Sequence, residues 1–355
     1  MLSWAFIQYE SNIQACGLTQ LYLDDLKWGM DWLIACHVSD NVMVGQVGSG
    51  YQDHSWWGPP ELNTMKRQVY YLNTSSPGTE VAMEASAALS AASIIWKSRD
   101  PTYSSLLLSH AKSLHTFGDT YRGIYTKSIP DAQSFYDSYS GFNDEIVWGT
   151  IWLYKASGDP ALLTKAKSDY VTFGIGAMGK GNSHDWDLKA PGVSLLMSQV
   201  IGGTPYTADT EGFLNYWLPG GGVPYTPGGL AWIRQWGPCR YSATAAFLAS
   251  VYGGVKYTTF TQAQIKYMLG DNPNQQSFVV GIGSKHPINP HHSAAHHSLT
   301  DSMNDPINNV YLIKGALVGG PSLNDSYLDD RADYIRNEVA LDYNAGFCWC
   351  TCIHG

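Results

Sequence analysis

Apolar residues recur at helical spacing in one segment after another of this chain, and almost no segment alternates apolar and polar residues as a strand does. In an early example, Leu26, Met30 and Leu33 share one helical face, while Asp24 and Lys27 lie on the other. Eleven segments show the helical pattern, and they are residues 1–10, 23–34, 80–96, 103–117, 144–155, 160–173, 191–200, 208–217, 243–252, 261–269 and 330–342. The sequence therefore predicts an all-α fold, and the long loops between these segments favour paired helices in an α/α toroid.

Charge and hydropathy argue against some classes of partner. The 355 residues contain 21 Lys and Arg against 30 Asp and Glu, and this net charge of −9 disfavours binding to nucleic acid or to an anionic membrane surface. Every long apolar run is interrupted by Gly, Ser or a charged residue, so no segment is expected to span a membrane. The first residues do not resemble a signal peptide, which leaves open a cytosolic protein and a missing leader. Glycosylation sequons at Asn73 and Asn324 are consistent with secretion but are common by chance.

The chain has no Pro-, Ser- or Thr-rich linker and no repeat of fixed period. We therefore expect a monomer with one domain over residues 1–347, followed by an atypical Cys-rich tail over residues 348–355. The tail contains Cys348, Cys350, Cys352 and His354. Their spacing differs from the C-x2-C pairs of zinc sites, and so short a terminal stretch offers no scaffold for a tetrahedral metal site. An unstructured tail is favoured over a zinc site.

Aromatic residues are abundant, with 13 Trp and 23 Tyr beside only 14% charged residues. Indole and phenol rings stack on the apolar faces of sugars, while polar neighbours bind the hydroxyl groups at the sugar edges. Aromatic rings also fill protein cores. The composition by itself is compatible with a carbohydrate-binding protein and with an aromatic-rich core.

A long gapped pattern lies near the end of the chain. It has the form aromatic-x-Asp-x4-aromatic-x3-Glu-x-small-x3-Asn-small, and its fixed positions are Tyr327, Asp329, Tyr334, Glu338, Ala340, Asn344 and Ala345. The pattern resembles the carboxyl-terminal signature of glycoside hydrolase family nine, the inverting cellulases built on an (α/α)6 barrel. The likeness extends over nearly the whole chain, including residues 48–59, 236–241 and 269–273. It implies a secreted endo-β-1,4-glucanase whose partner is cellulose or a related β-glucan.

The resemblance implies active-site roles for three residues. Glu338 matches the general acid, and a carboxylic acid that a partly desolvated site keeps neutral can protonate the leaving glycosidic oxygen. Asp329 matches the signature's other active-site position and is expected to orient the acid or the sugar. His291, in the segment 277–293, matches the histidine of a second family signature and is expected to bind a sugar hydroxyl. That signature closes with His-x-Arg, whereas Ser293 stands in place of the arginine here and supplies no cation.

Six further positions look like sugar contacts of the family. They are expected to form aromatic platforms with polar neighbours, and they are His54, Trp57, Tyr136, Trp236, Arg240 and Tyr343. For any single ring, packing in the core is the alternative. No cofactor is expected for the chemistry itself.

The segment 140–145, which opens a predicted helix, is the better of two metal candidates. Hydroxyl, carbonyl and carboxylate oxygens are the hard ligands that Ca²⁺ prefers. Family members that carry calcium have a similar loop, and the resemblance implies a structural Ca²⁺ held by Ser140, Gly141, Asp144, Glu145 and Asp187. The alternative is helix capping by Asn143, with acids at the positive end of the helix. Five histidines between residues 286 and 297 also permit a metal site, but their spacing fits no ligand pattern.

Inversion also requires a second carboxylate that activates water, about 6.5–9.5 Å from the acid. In the family it belongs to an Asp-Ala-Gly-Asp motif that precedes a stretch similar to residues 1–6, and this sequence contains no such motif. Asp24 and Asp25 are expected on an outer helix face and do not replace it. We therefore expect a barrel incomplete at its N-terminus and at its C-terminus, and a chain that is impaired or inactive as it stands. A glucan-binding pseudoenzyme and an unrelated α/α-toroid lyase or hydrolase remain alternatives.

Overall fold

Helices provide most of the regular structure in residues 1–349, the part of the chain that the computed structural model describes. The α-helices of this part are α1 (Leu2–Ala15), α2 (Thr19–Cys36), α3 (Gly50–His54), α4 (Thr79–Trp96), α5 (Pro101–Thr120), α6 (Tyr125–Ser128), α7 (Asn143–Ser157), α8 (Pro160–Thr172), α9 (Ile175–Gly179), α10 (Ala190–Val200), α11 (Tyr206–Trp217), α12 (Pro238–Tyr252), α13 (Val255–Met268), α14 (Ser293–His296), α15 (Tyr334–Asn337) and α16 (Leu341–Ala345). None of these helices combines the length and the hydrophobicity that crossing a bilayer requires.

Ten of the eleven predicted helices are present, and the last one is wrong. The ends of the ten differ from the prediction most for α1, which continues to Ala15, and for α12 and α13, which begin well before the first predicted residue. In α12 the early residues include Arg240 and Ser242, which are polar but buried, so the apolar period alone does not reveal this turn. Residues 330–342 form two short helices, α15 and α16, because Glu338 adopts an extended backbone conformation between them.

The described residues fall into two compact units. The first consists of Met1–Tyr51, Lys66–Lys180 and Trp186–Thr210, and the second of Gln52–Met65, Gly181–Asp185 and the residues from Glu211 onward. The single domain expected over residues 1–347 stays a prediction.

The core of the first unit lies where α4 packs against α5 and α7. Helix α4 is buried on nearly every side, and small residues such as Ala82 let its neighbours approach closely. Helix α5 begins with an Asp-Pro pair, in which the Asp100 carboxylate accepts a hydrogen bond from the backbone N–H of Tyr103. Asp159 caps α8 in the same way. An Asp-Pro pair of this kind is typical of the start of a helix and can be recognised in the sequence.

A small antiparallel sheet in the first unit departs from the expectation of helices alone. Its strands are β1 (His37–Ser39), β2 (Val42–Val47) and β3 (Val69–Leu72), in the order β1-β2-β3. The strands are too short and too irregular to display alternation in the sequence, since the register shifts between both pairs. Leu72 nevertheless joins a buried apolar cluster with Phe117 and Ile129.

The second unit is organised around α12, which packs against α13 and α16. Pro238 occupies the first turn of α12 after Gly237, which has a φ of +63°. Almost every residue of this helix is buried. In the described part of the chain, the thiols of Cys16, Cys36 and Cys239 are free. The remaining tail residues of the zinc alternative, Cys350, Cys352 and His354, lie outside the described residues.

Candidate active site

The backbone at Glu338 is fixed by the loop that carries His291. Glu338 pairs with His291 in an isolated parallel bridge, and the His291 N–H donates to the carbonyl of Asn337 at 2.8 Å. On the other side, the carbonyl of Glu338 accepts a hydrogen bond from the N–H of Gly319 at 3.0 Å. The two signatures that the sequence placed far apart therefore meet at one point of the second unit.

The carboxyl group of Glu338 is held through one of its two oxygens. The Trp236 indole N–H donates to Oε2 at 2.9 Å, and the Tyr343 hydroxyl donates to the same atom at 2.8 Å. Oε1 receives no hydrogen bond from the residues that the structure describes. Burial raises the pKa of Tyr343, which keeps its hydroxyl protonated and available as a donor. A proton on the neutral carboxyl group is thus directed to Oε1.

Arg240 and Tyr343 differ from the sugar contacts that were expected. The Tyr343 ring is completely buried, so the prediction of an open aromatic platform at this position is wrong. Arg240 is also buried, with its guanidinium carbon 4.8 Å from the centre of the Tyr343 ring and its Nη1 atom 3.1 Å from Asp342 Oδ2. Both residues support Glu338 from behind, because Arg240 packs on Tyr343 and Tyr343 contacts the acid.

His291 is held in a single tautomer. Its Nδ1 atom lies 2.8 Å from the carbonyl oxygen of Arg331, and since a carbonyl only accepts, Nδ1 carries the hydrogen. Burial lowers the pKa of His291, which keeps the ring neutral and leaves Nε2 as an acceptor. The ring centre lies 4.6 Å from that of Trp57.

Asp329 contacts the loop that leads to His291. Its carboxylate accepts hydrogen bonds from the backbone N–H of Ile288 at 2.8 Å and of Asn289 at 3.0 Å. Within residues 1–349, no hydrogen bond joins Asp329 to Glu338. Asp329 therefore acts on the position of His291 through the backbone of its loop.

Arg331 is a site residue that the sequence reasoning missed. Its buried guanidinium donates to the carbonyls of Met303 at 2.8 Å and Ile307 at 3.0 Å, and to Asn309 Oδ1 at 2.8 Å. Together with Asp329 it lines an open cleft of about 380 Å³. The only available signal was an arginine between the acids of the signature, and charge attraction to those acids explains it equally well.

The remaining expected sugar contacts are divided between the two units. Trp236 is 45% exposed and contacts the ring of Tyr334, while Trp57 is half-buried. His54 is exposed on α3. Tyr136 lies in the first unit, where its partly exposed ring contacts Trp186 edge-on at 5.0 Å.

The expected calcium ligands also lie in the first unit. Ser140 and Asp187 are tied together, because the Ser140 hydroxyl donates to the Asp187 carbonyl at 2.6 Å and its N–H donates to the Asp187 carboxylate. Asp144 and Glu145 are buried in the first turn of α7, and Oδ1 of Asp144 and Oε2 of Glu145 have no hydrogen-bond partner. Burial raises the pKa of both carboxyl groups, and for Glu145 the charge of Asp144 adds to it.

Two alternatives to the calcium site fail, one in this region and one at the histidine-rich segment. Capping of α7 by Asn143 is wrong, since Phe142 is the N-cap residue and no side chain caps the helix. Across residues 1–349, no three His, Cys, Asp or Glu side chains converge to hold a metal ion, and this includes the histidine-rich segment. A cation near Asp144 and Glu145 would therefore need the hydroxyl and carbonyl oxygens of Ser140 and Gly141 as further ligands.

Comparisons with solved structures agree with the fold expected from the resemblance. An endoglucanase from the termite Nasutitermes takasagoensis is 40% identical, with a TM-score of 0.92, and the match covers 99% of this chain and 82% of that one. Endoglucanase CelQ from Clostridium thermocellum, solved with cellotriose, is 37% identical with a TM-score of 0.90 over 99% of this chain and 59% of that one. The predicted (α/α)6 barrel class is confirmed, and the unrelated toroid is excluded.

Sequence comparisons point to the same family. An endoglucanase of Dictyostelium discoideum is 65% identical over 98% of this chain and 49% of its own length, and endoglucanase B of Cellulomonas fimi is 42% identical over 98% of this chain and 35% of its own. The chain thus spans half or less of the length of these relatives. A family model described as glycosyl hydrolase family 9 matches residues 1–351. The chain belongs to glycosyl hydrolase family 9.

Proposed function

We propose that the protein hydrolyses internal β-1,4-glucosidic bonds of cellulose or a related β-glucan with inversion, and that Glu338 is the general acid. The observation that carries the proposal is the asymmetric environment of the Glu338 carboxyl group, with Trp236 and Tyr343 on Oε2 and Oε1 left to carry the proton. The endoglucanase relatives and the CelQ complex with cellotriose support a glucan as the substrate.

The chemistry follows from these contacts. Oε1 of Glu338 donates its proton to the glycosidic oxygen as the bond to the anomeric carbon breaks. The carboxylate that forms is stabilised by the two donors already aimed at Oε2, so little reorganisation is required. His291 Nε2 accepts a hydrogen bond from a sugar hydroxyl, and the exposed face of Trp236 stacks on a glucosyl ring. Water attacks from the opposite face with the help of a second carboxylate. The proposal assigns to the described residues only the donation of the proton to the leaving oxygen and the binding of the sugar.

The test separates proton donation from binding. We would join the chain at Met1 to a family segment that carries the Asp-Ala-Gly-Asp motif and then compare Glu338→Gln with the unchanged chimera. Glutamine still accepts from Trp236 and Tyr343 but has no acidic proton, so we expect hydrolysis of soluble cellulose to fall about 10²- to 10⁴-fold while cellotetraose binding persists. Glu211→Gln, an exposed glutamate of the same unit, is the matched control. Full activity in Glu338→Gln, or loss of binding with it, would remove Glu338 as the acid.

The second candidate function is glucan binding without turnover. The Trp236 ring, which is 45% exposed, supports it, because such a ring can stack on a sugar without any transfer of a proton. The chimera distinguishes the two candidates, because a pseudoenzyme binds cellotetraose but stays inactive even when the motif is supplied. Restored hydrolysis that depends on Glu338 would rule out this candidate.

We also propose that Ser140, Gly141, Asp144, Glu145 and Asp187 hold a structural Ca²⁺. Buried carboxylate oxygens without partners on Asp144 and Glu145 support the proposal, since such groups are costly unless a cation or a proton neutralises them. Thermal unfolding in EDTA and in millimolar Ca²⁺ tests it, because an ion at one hundred times its Kd adds about 2.7 kcal/mol. We expect Glu145→Gln to lose this increment and the exposed Glu10→Gln to keep it. Equal stability with and without Ca²⁺ in the unchanged protein would contradict the site.

Secretion of the full-length protein and a monomeric state are further parts of the proposal. Asn324, which begins one of the two sequons, is exposed, and this supports passage through a glycosylating compartment. Fractionation of cells that express the full-length gene tests the location. Light scattering of the purified protein in solution tests the oligomeric state.

A further inference from the structure

A histidine that no catalytic role accounts for lies directly behind Trp57. The Trp57 indole N–H donates to Nδ1 of His296 at 2.7 Å, and Nε2 of His296 lies 2.7 Å from the carbonyl oxygen of Pro306. A carbonyl oxygen only accepts and an indole nitrogen only donates, so Nε2 carries the hydrogen and Nδ1 is a bare acceptor. The two partners therefore fix both the tautomer and the orientation of the imidazole ring.

The same contacts restrain the indole. His296 is completely buried, so no water competes for its Nδ1 atom. The backbone N–H of Trp57 donates to Asp301 Oδ1, and its ring packs on that of His291 with the ring centres 4.6 Å apart. In the described part of the chain, His296 is the only polar partner of the indole nitrogen. Without that bond, only ring packing such as that on His291 would set the angle of the half-buried Trp57 ring.

We propose that His296 is a positioning residue, which fixes the plane of Trp57 so that the indole presents its face to a glucosyl unit next to His291. The inference rests on the proposed glucan-binding function. Burial lowers the pKa of His296, which agrees with the neutral tautomer that the geometry requires. The side chain of His296 does not touch the sugar, and its effect on binding passes through the orientation of Trp57.

Two substitutions of His296 separate positioning from general packing. The amide of Asn ends where Nδ1 of histidine lies and can accept from Trp57, whereas the amide of Gln reaches the place of Nε2 and serves Pro306 instead. Each variant loses one buried hydrogen bond, so we expect similar losses of thermal stability. Only His296→Gln leaves the indole without its acceptor. We expect it to raise the Kd for cellotetraose about tenfold, while His296→Asn stays within about twofold.

Nuclear magnetic resonance of the indole N–H groups measures both properties in the 355-residue chain. The Trp57 resonance is identified by its loss in Trp57→Phe. We expect this resonance to keep its hydrogen-bonded shift in His296→Asn and to lose it in His296→Gln. Titration of the same samples with cellotetraose gives the Kd values.

The control is a double-mutant cycle with Trp57→Phe. Phenylalanine keeps an aromatic ring but has no N–H, so His296→Gln should have no further effect on affinity in that background. Equal affinities for the two His296 variants, or an effect of His296→Gln that persists without Trp57, would overturn the proposal. If the unchanged chain binds no cellotetraose, the proposed glucan-binding function is contradicted. The Trp57 resonance then decides the positioning role by itself, because an unchanged resonance in His296→Gln overturns it and a lost hydrogen-bonded shift supports it.

Discussion

At the scale of single residues, the candidate acid depends on how closely the backbone can approach Tyr343. Gly237, just before α12, has a φ of +63°, and a Cβ atom on it would lie 2.8 Å from the Tyr343 hydroxyl oxygen. A residue with a side chain would be strained in this conformation and would press on the group that donates to Glu338. Glycine at this position is therefore required by the site as well as by the turn.

Gly237→Ala is predicted to destabilise the protein more than a positive φ alone explains. Gly174 is the matched control, since its φ and ψ of +66° and +38° lie close to the +63° and +54° of Gly237 and nothing lies within 4 Å of its Cβ position. Both variants carry the backbone penalty, but only Gly237→Ala adds a clash, which typically costs about 1–3 kcal/mol. We expect urea unfolding to show this difference. Equal losses would mean that Tyr343 moves aside without cost.

At the scale of elements, helices α5 and α7 are joined by a buried polar contact. His115 Nε2 lies 2.8 Å from the Thr150 hydroxyl oxygen, and that hydroxyl donates its own hydrogen to the carbonyl of Ile146. The histidine therefore donates from Nε2 and is neutral. Burial lowers the pKa of His115 to about 4, well below the ordinary value of 6.5.

The contact predicts a pH dependence of the free energy of unfolding. Because the unfolded chain binds the proton more readily, this contribution is complete above pH 6.5 and is lost as the pH falls from 6.5 towards 4, by up to roughly 3 kcal/mol. His115→Gln keeps a donor for Thr150 but does not titrate. We expect urea unfolding at pH 7 and pH 4.5 to show a smaller loss in the variant. The same loss in both proteins would assign the acid sensitivity to other groups.

At the scale of the whole molecule, the acid and its partners occupy one unit and the expected calcium ligands occupy the other. The 355-residue chain by itself is predicted to release little reducing sugar from soluble cellulose. In the proposed reaction Glu338 supplies a proton, but the water that attacks needs a general base, and the loss of such a group typically costs about 10²- to 10⁴-fold in rate. A reducing-sugar assay on the purified chain checks this. Robust release would show that a described carboxylate serves as the base.

Much of the fold could be predicted from the sequence, because the apolar period of a helix is visible in residues that are close together in the chain. Apolar spacing located ten of the helices. The sequence failed at residues 330–342, where the charged pattern reads as one helix. Bridges from Glu338 to His291 and from Val339 to Val318 break that helix, and such pairings between distant segments leave no periodic signal.

For the candidate site too, some features could be predicted from the sequence and others could not. The gapped signatures were enough to select Glu338 and His291 as candidates, because each lies at a fixed position in a short stretch of sequence. The tertiary structure alone decided that Trp236, 102 residues before Glu338, donates to its carboxylate, and that His296, 239 residues after Trp57, holds the indole. It also placed Arg240 and Tyr343 behind the acid. Local sequence determines which segments form helices, whereas hydrogen bonds between distant side chains exist only after the packing of those segments has fixed their distances and excluded water.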